Sequence, residues 1–150
     1  MNSLSSFKKH SEHSINKAGR VSIPARHREV LRTKYGNERL VLIYQRNHLA
    51  AFPIEEWAKK EQELLANPPK DPKAKKYQRL LYSLMEECVI DKPGRILISQ
   101  ELRDKVGLKD ECIINGNLDR IEIWPKDKWE EDNNIDELFE DIDADFEINI

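Results

Sequence analysis

Two short runs hold the residues best suited to chemistry: Asn16-Lys17-Ala18-Gly19-Arg20 and Asp91-Lys92-Pro93-Gly94-Arg95. Each sets a glycine directly before an arginine. An alternating strand follows, with Val21 and Ile23 in the first run and Ile96 and Ile98 in the second. Glycine lets the backbone approach another surface closely. Arginine offers a planar fork that matches a phosphate, or the edge of guanine in a major groove. The competing account is that Arg20 and Arg95 simply pair with neighbouring carboxylates, and the answer need not be the same in both runs.

Charge separates the two runs. Residues 8–34 contain eight basic and two acidic groups, a net of +6. The equivalent window, residues 83–109, contains five of each, a net of zero. Over the whole chain the formal charge is −3, but no Lys or Arg follows Lys128, and ten acidic residues do. Residues 1–129 therefore carry 25 basic and 18 acidic groups, a basic body joined to an acidic tail. Such asymmetry points to a nucleic-acid partner. Counterion release drives phosphate binding, so the first run should dominate affinity. The candidate DNA contacts are Lys17, Gly19, Arg20, Arg26 and Arg28, with Lys92, Gly94 and Arg95 from the second run.

Other chemistry is poorly supplied. His10 and His13 could meet Cys88 or Cys112, but no C-x-x-C or H-x-x-x-H spacing exists, so no metal is expected. Asp91 and Asp119 form a conceivable carboxylate pair without a Ser/His or metal companion, and read as turn residues. Trp57, Trp124 and Trp129 read as core. No phosphate loop or dinucleotide fingerprint is present. Neither a catalytic residue nor a cofactor is expected.

The elements that must position these runs form a tandem repeat. At an offset of 75 residues, Asn16, Lys17, Gly19, Arg20 and Arg28 align with Asp91, Lys92, Gly94, Arg95 and Arg103. Further on, Phe52–Trp57 aligns with Trp124–Trp129 at an offset of 72, which leaves three extra residues near Thr33–Glu38. In each copy a strand ends at Ile15 or Ile90. Asn16 or Asp91 can bond its side chain to the turn backbone. Gly at the fourth position suits a positive φ, and Pro93 suits the preceding position of a type II turn. A strand, a short helix and two more strands complete the copy, with Ser99 as N-cap and Gly107 as stop in the second. Gly116–Asp119 reads as a hairpin turn. One copy is too small to be stable alone, so the two should share one core, either interleaved or packed as a pair.

Helical segments connect and follow the copies. The first places Trp57, Leu64 and Leu65 at helical spacing, and prolines 68, 69 and 72 interrupt it. The second places Tyr77, Leu80, Leu81, Leu84 and Met85 on one stripe. In the acidic tail Ile135, Leu138, Phe139 and Ile142 recur at helical spacing, as a packed helix or a loosely held arm. The organisation is thus repeat 1 (7–55), a helical linker (56–85), repeat 2 (86–127) and an acidic tail (128–150). The fold class is α+β, mainly β. No apolar run reaches the roughly 20 residues that span a bilayer, and the N-terminus has no apolar signal core. Two cysteines in apolar surroundings read as buried thiols of a reducing compartment, so a cytoplasmic setting is expected.

The runs Asn16–Arg20 and Asp91–Arg95, each followed by an alternating strand, resemble the D-x-x-G-R signature of the SpoVT/AbrB-type fold. With Phe7, Gly19–Glu29, Phe52–Trp57 and Asp119–Trp124 added, residues 7–130 resemble the MraZ family. The resemblance implies two tandem units sharing a β-barrel-like core, with the G-R turns facing DNA. It implies a cytoplasmic, nucleoid-associated transcriptional regulator that assembles as homo-oligomeric rings. Direct repeats in promoter DNA, typically upstream of the division and cell-wall gene cluster, would be its target. The sequence departs from the usual D-x-K-G-R at Asn16 and Ala18, and from the usual proline of the second copy at Ser99. A second function class stays open: an antitoxin-like interaction module whose acidic tail occupies a basic partner. Antitoxins of this fold usually carry one copy, and this chain carries two.

Overall fold

The computed structural model describes residues 6–141 and 148. The first copy runs β1 (His10–Ser14), β2 (Arg20–Ser22), α1 (Ala25–Val30), β3 (Arg39–Gln45) and β4 (His48–Pro53). Helices α2 (Ile54–Ala66) and α3 (Pro72–Leu84) connect it to the second copy. That copy runs β5 (Glu86–Val89), β6 (Arg95–Leu97), α4 (Gln100–Val106), β7 (Glu111–Asn117) and β8 (Arg120–Pro125). Helices α5 (Lys126–Asp132) and α6 (Ile135–Asp141) follow.

The copies are interleaved. Six antiparallel strands form one sheet in the order β1-β7-β8-β4-β3-β5. The first strand of each copy therefore pairs with the third strand of the other, and the two fourth strands meet at the centre. The outer strands β1 and β5 lead into β2 and β6, which pair with each other. That second pairing bridges the two ends of the sheet and gives the barrel-like core. Neither copy pairs its own first strand, so each copy's sheet is completed by the other.

Alternation fixes the two faces. Leu40, Leu42, Leu49, Ile114, Ile121 and Ile123 point into the main core and are fully buried. Removing each from water stabilises the fold by roughly 1.5–3 kcal/mol. Val41, Ile43, Ala50 and Phe52 point the other way, beneath Trp57 of α2. Both faces of β3 and β4 are thus covered, and their sequences read as nearly continuous apolar runs. On the corresponding outer face of the second copy, His48 stacks on Trp124 at 4.6 Å and Trp129 meets Trp124 edge-on at 5.5 Å.

Three sequence expectations are refined. The three extra residues of copy one arise because α1 continues into a π-helical turn over Leu31–Tyr35, whereas α4 stops at Gly107. Gly116 lies inside β7 rather than in the hairpin turn, which consists of Leu118 and Asp119 between the paired Asn117 and Arg120. A Cβ at Gly116 would lie 2.4 Å from the backbone N of Lys8, so the crossing N-terminal segment requires glycine there. Along α2 only Trp57 is buried, and Leu65 is 82% exposed. On α3 no residue is fully buried, although Leu81 and Tyr82 pack against the cluster that contains Trp57. Asp71 starts α3 by accepting a hydrogen bond from the Lys73 amide at 2.9 Å, with Pro72 in the first turn.

Candidate nucleic-acid interface

Each G-R run is a three-residue loop closed by its flanking residues. The Asn16 carbonyl accepts from the Gly19 amide at 2.9 Å, and the Asn16 amide donates to the Arg20 carbonyl at 3.0 Å. The Asn16 side-chain oxygen also accepts from the Arg20 amide at 2.8 Å. Asp91 repeats all three bonds in copy two, its carboxylate accepting from the Arg95 amide at 2.7 Å. Gly19 and Gly94 occupy the last loop position at φ +96° and +94°, where an L side chain is strained. The turn bond spans Asp91 to Gly94, so Pro93 takes the third turn position rather than the second of a type II turn.

Pairing of β2 with β6 sets the loops side by side. The register is Arg20 opposite Leu97, Val21 opposite Ile96 and Ser22 opposite Arg95. Val21 and Ile96 point into the core, so period-two alternation puts Arg20, Ser22, Arg95 and Leu97 on the outward face. The result is a short two-stranded ribbon carrying an arginine from each copy. Exposed Leu97 and Ser22, which the sequence reading did not single out, lie between them. The alternation of Arg95, Ile96 and Leu97 was the available signal.

The two glycines face the sister copy. A Cβ at Gly19 would lie 2.6 Å from the Ile98 carbonyl oxygen and 2.7 Å from Nε of Arg103. A Cβ at Gly94 would lie 2.8 Å from Cζ of Arg28. Arg28 Nε donates to the Ile23 carbonyl at 3.1 Å, and Arg103 Nε to the Ile98 carbonyl at 3.0 Å. The amides of Ile23 and Ile98 donate to the carbonyls of Gly94 and Gly19 at 2.8 and 2.9 Å. Arg28 and Arg103 are therefore crossed latches, each bracing its own strand and lying over the other copy's glycine. The close approach inferred from sequence is between the copies, and Arg28 has one donor committed to it.

The remaining candidates differ by copy. Lys17 and Lys92 are exposed at the loop tips, and Arg26 is exposed at the start of α1 with Nη1 3.4 Å from the Ser11 hydroxyl. Among the described residues the Arg20 guanidinium makes no hydrogen bond or ion pair. Arg95 Nε lies 3.5 Å from a carboxylate oxygen of Asp91. Asn16 cannot hold Arg20 in that way because it is uncharged. The carboxylate-pairing account thus applies to Arg95 of copy two and not to Arg20 of copy one. Elsewhere in the basic window Arg32 is occupied by Glu29 and Glu38, at 3.0 and 2.8 Å.

Beneath α1, His27 is fully buried against Phe7, and neither ring nitrogen has a partner. Burial, with help from Arg26 and His13, lowers its pKa to about 4. Its counterpart in copy two is Leu102, also fully buried. Cys88 and Cys112 are free thiols that burial pushes up to about 12. Glu122, facing away from the main core, accepts from Asn115, Asn117 and Trp124, which hold its pKa down. Asp119 is hydrogen-bonded by Arg120 at 2.9 Å, whereas Asp91 lies 3.5 Å from Arg95 Nε, an ion pair without a hydrogen bond. Among the described residues there is no cluster of metal-ligating side chains, and no helix is long and apolar enough to cross a membrane.

Comparison with known proteins agrees with this architecture. The family model described as "MraZ protein, putative antitoxin-like" matches twice in tandem, over residues 7–80 and 81–145. A protein of Limosilactobacillus reuteri named transcriptional regulator MraZ is 39% identical over 89% of this chain and 95% of its own length. Proteins of the same name from Pelotomaculum thermopropionicum and Chromobacterium violaceum are 41% and 34% identical. They cover 79% and 78% of this chain, and 79% of their own length in each case. Interleaved copies, paired G-R loops and these matches together establish that the chain belongs to the MraZ family.

Proposed function

We propose that this protein regulates transcription by binding double-stranded DNA through the β2–β6 ribbon. The carrying observation is the outward face on which Arg20 stands uncommitted beside Ser22, Leu97 and Arg95. A two-stranded ribbon fits the roughly 12 Å width of a major groove. On that face Arg20 reads a guanine edge or grips a phosphate, and Leu97 offers an apolar surface for a thymine methyl. Lys17, Lys92 and Arg26 supply phosphate contacts that position the ribbon. Gly19, Gly94 and Arg28 act by holding the loops in shape. Repeats 7–55 and 86–127 then serve as two halves of one reading head, with 56–85 and 128–150 outside it.

One chain reaches few phosphates, so function requires a homo-oligomer that sets several ribbons along one DNA face. The targets are short direct repeats in promoters, including its own and that of the division and cell-wall genes. The setting is the cytoplasm, on the nucleoid. The names of the relatives support the regulatory role. A footprint on the DNA upstream of the protein's own gene tests the reading. Protection of regularly spaced short repeats is the expected result. A uniform, sequence-independent pattern or no protection would overturn it.

A further inference from the structure

Away from the ribbon, an apolar groove of about 830 Å³ runs between α3, the β3–β4 hairpin and α4. Tyr77, Leu80, Leu81 and Leu84 line one wall at i, i+3, i+4 and i+7, a single stripe of α3. Tyr77 and Leu80 are 61% and 53% exposed. The surroundings are basic: Arg46 and Lys105 line the groove beside one acid, Glu101, and α3, which forms one wall, carries four basic residues and no acid along its length.

Helix α6 has the complementary character. Ile135, Leu138 and Phe139 are 63%, 54% and 56% exposed, and Asp136, Glu137, Glu140 and Asp141 surround them. The chain enters α6 beside the groove, since Asp132 accepts from the side chain of Asn47, a groove residue, at 3.1 Å. Yet no α6 residue lines the groove of its own chain. Every chain thus presents an open apolar slot in basic surroundings and an unseated acidic helix with an apolar stripe.

We propose that α6 of one chain seats in the groove of a second copy. Burial of the two apolar stripes supplies the attraction, and the opposite charges fix orientation and exclude wrong partners. Because the helix and the groove are different surfaces, the contact is heterologous and can repeat around a closed ring. The inference rests on the proposed homo-oligomer and names what joins its subunits. It assigns the acidic tail to assembly and leaves the DNA-reading face free.

Full-length chains carrying Phe139→Cys are mixed with full-length chains carrying Leu80→Cys and oxidised. A second mixture pairs Leu138→Cys with Tyr77→Cys. All four sites are exposed, whereas native Cys112 is buried and Cys88 half-buried, with thiol pKa values near 12. A disulfide-linked dimer in at least one mixture, and in neither chain alone, is the expected result. A full-length Leu138→Ser/Phe139→Ser chain should sediment as smaller species than wild type. No linked dimer in either mixture overturns the inference. So does a chain carrying both cysteines that closes the bond within itself, or an unchanged assembly in the double-serine variant. Failure of wild type to retard promoter DNA would instead count against the regulator reading, and the cross-link would still decide the docking.

Discussion

Replacing Asp91 with Asn should tighten DNA binding, although it removes an ion pair. Asp91 does two things. One oxygen accepts from the Arg95 amide at 2.7 Å, and the other lies 3.5 Å from Arg95 Nε. Asn keeps the first role, as Asn16 does at 2.8 Å in copy one. It loses the second. The two side chains are 39% and 37% exposed, so the pair contributes only about 0–1 kcal/mol to stability. Freeing Arg95 and removing one negative charge from the ribbon should therefore raise affinity severalfold. The same geometry ranks the arginines. Arg20→Ala removes an uncommitted fork, a loss of roughly 1–3 kcal/mol for a bidentate contact, or about 5- to 150-fold in affinity. Arg95→Ala should cost about fivefold or less. Fluorescence anisotropy on one promoter fragment at fixed salt reads all three variants, with denaturant melts to establish folding. Equal losses in folded Arg20→Ala and Arg95→Ala chains, or weaker binding by Asp91→Asn, would refute the reasoning.

Gly19→Ala should destabilise by about 2 kcal/mol or more, since a positive φ alone costs roughly 1–2 kcal/mol and the new Cβ collides with Ile98 and Arg103. Gly36→Ala, at φ +73° with nothing within 4 Å, should show only the backbone part, and thermal melts compare the two. His27 has a folded pKa of about 4 against an ordinary 6.5, so the unfolded chain binds the extra proton between those values. Its stabilising contribution is complete above about pH 6.5 and falls by about 3 kcal/mol as pH drops to 4. His27→Leu, which copies Leu102 of the sister repeat, should flatten the loss of stability between pH 6.5 and 4 in denaturant titrations. An unchanged slope would show that other groups carry it.

Much of this architecture was legible because duplication writes each element twice. Asn16 and Asp91 share a turn role that either side chain can fill, and Ser99 and Gly107 bound α4 by capping chemistry alone. Pairing between copies was not legible. A strand such as β1 carries no mark saying that β7 of the other copy is its neighbour, because alternation defines a face and not a partner. Arg28 shows the same limit. Its charge suggested DNA, while its location over Gly94 depends on a 66-residue separation in sequence that only the interleaved fold closes. Gly116 looked like a turn residue because the crossing segment near Phe7 is remote in sequence. The exposed stripe of α3 has the periodicity of a buried helix, and periodicity alone does not say whether the covering surface belongs to the same chain.

Binding to DNA bearing one, two, three or four direct repeats tests the central claim most directly. Linked ribbons turn each later contact into an intramolecular one, a gain of roughly 10²–10⁴ without any new contact type. Neighbouring ribbons must also meet the same DNA face, which recurs about every 10–10.5 base pairs. Affinity should therefore climb with repeat number, and an insertion of about half a helical turn between repeats should collapse it. Equal affinity for one repeat and for four, or indifference to the insertion, would contradict an assembly that reads DNA through several ribbons at once.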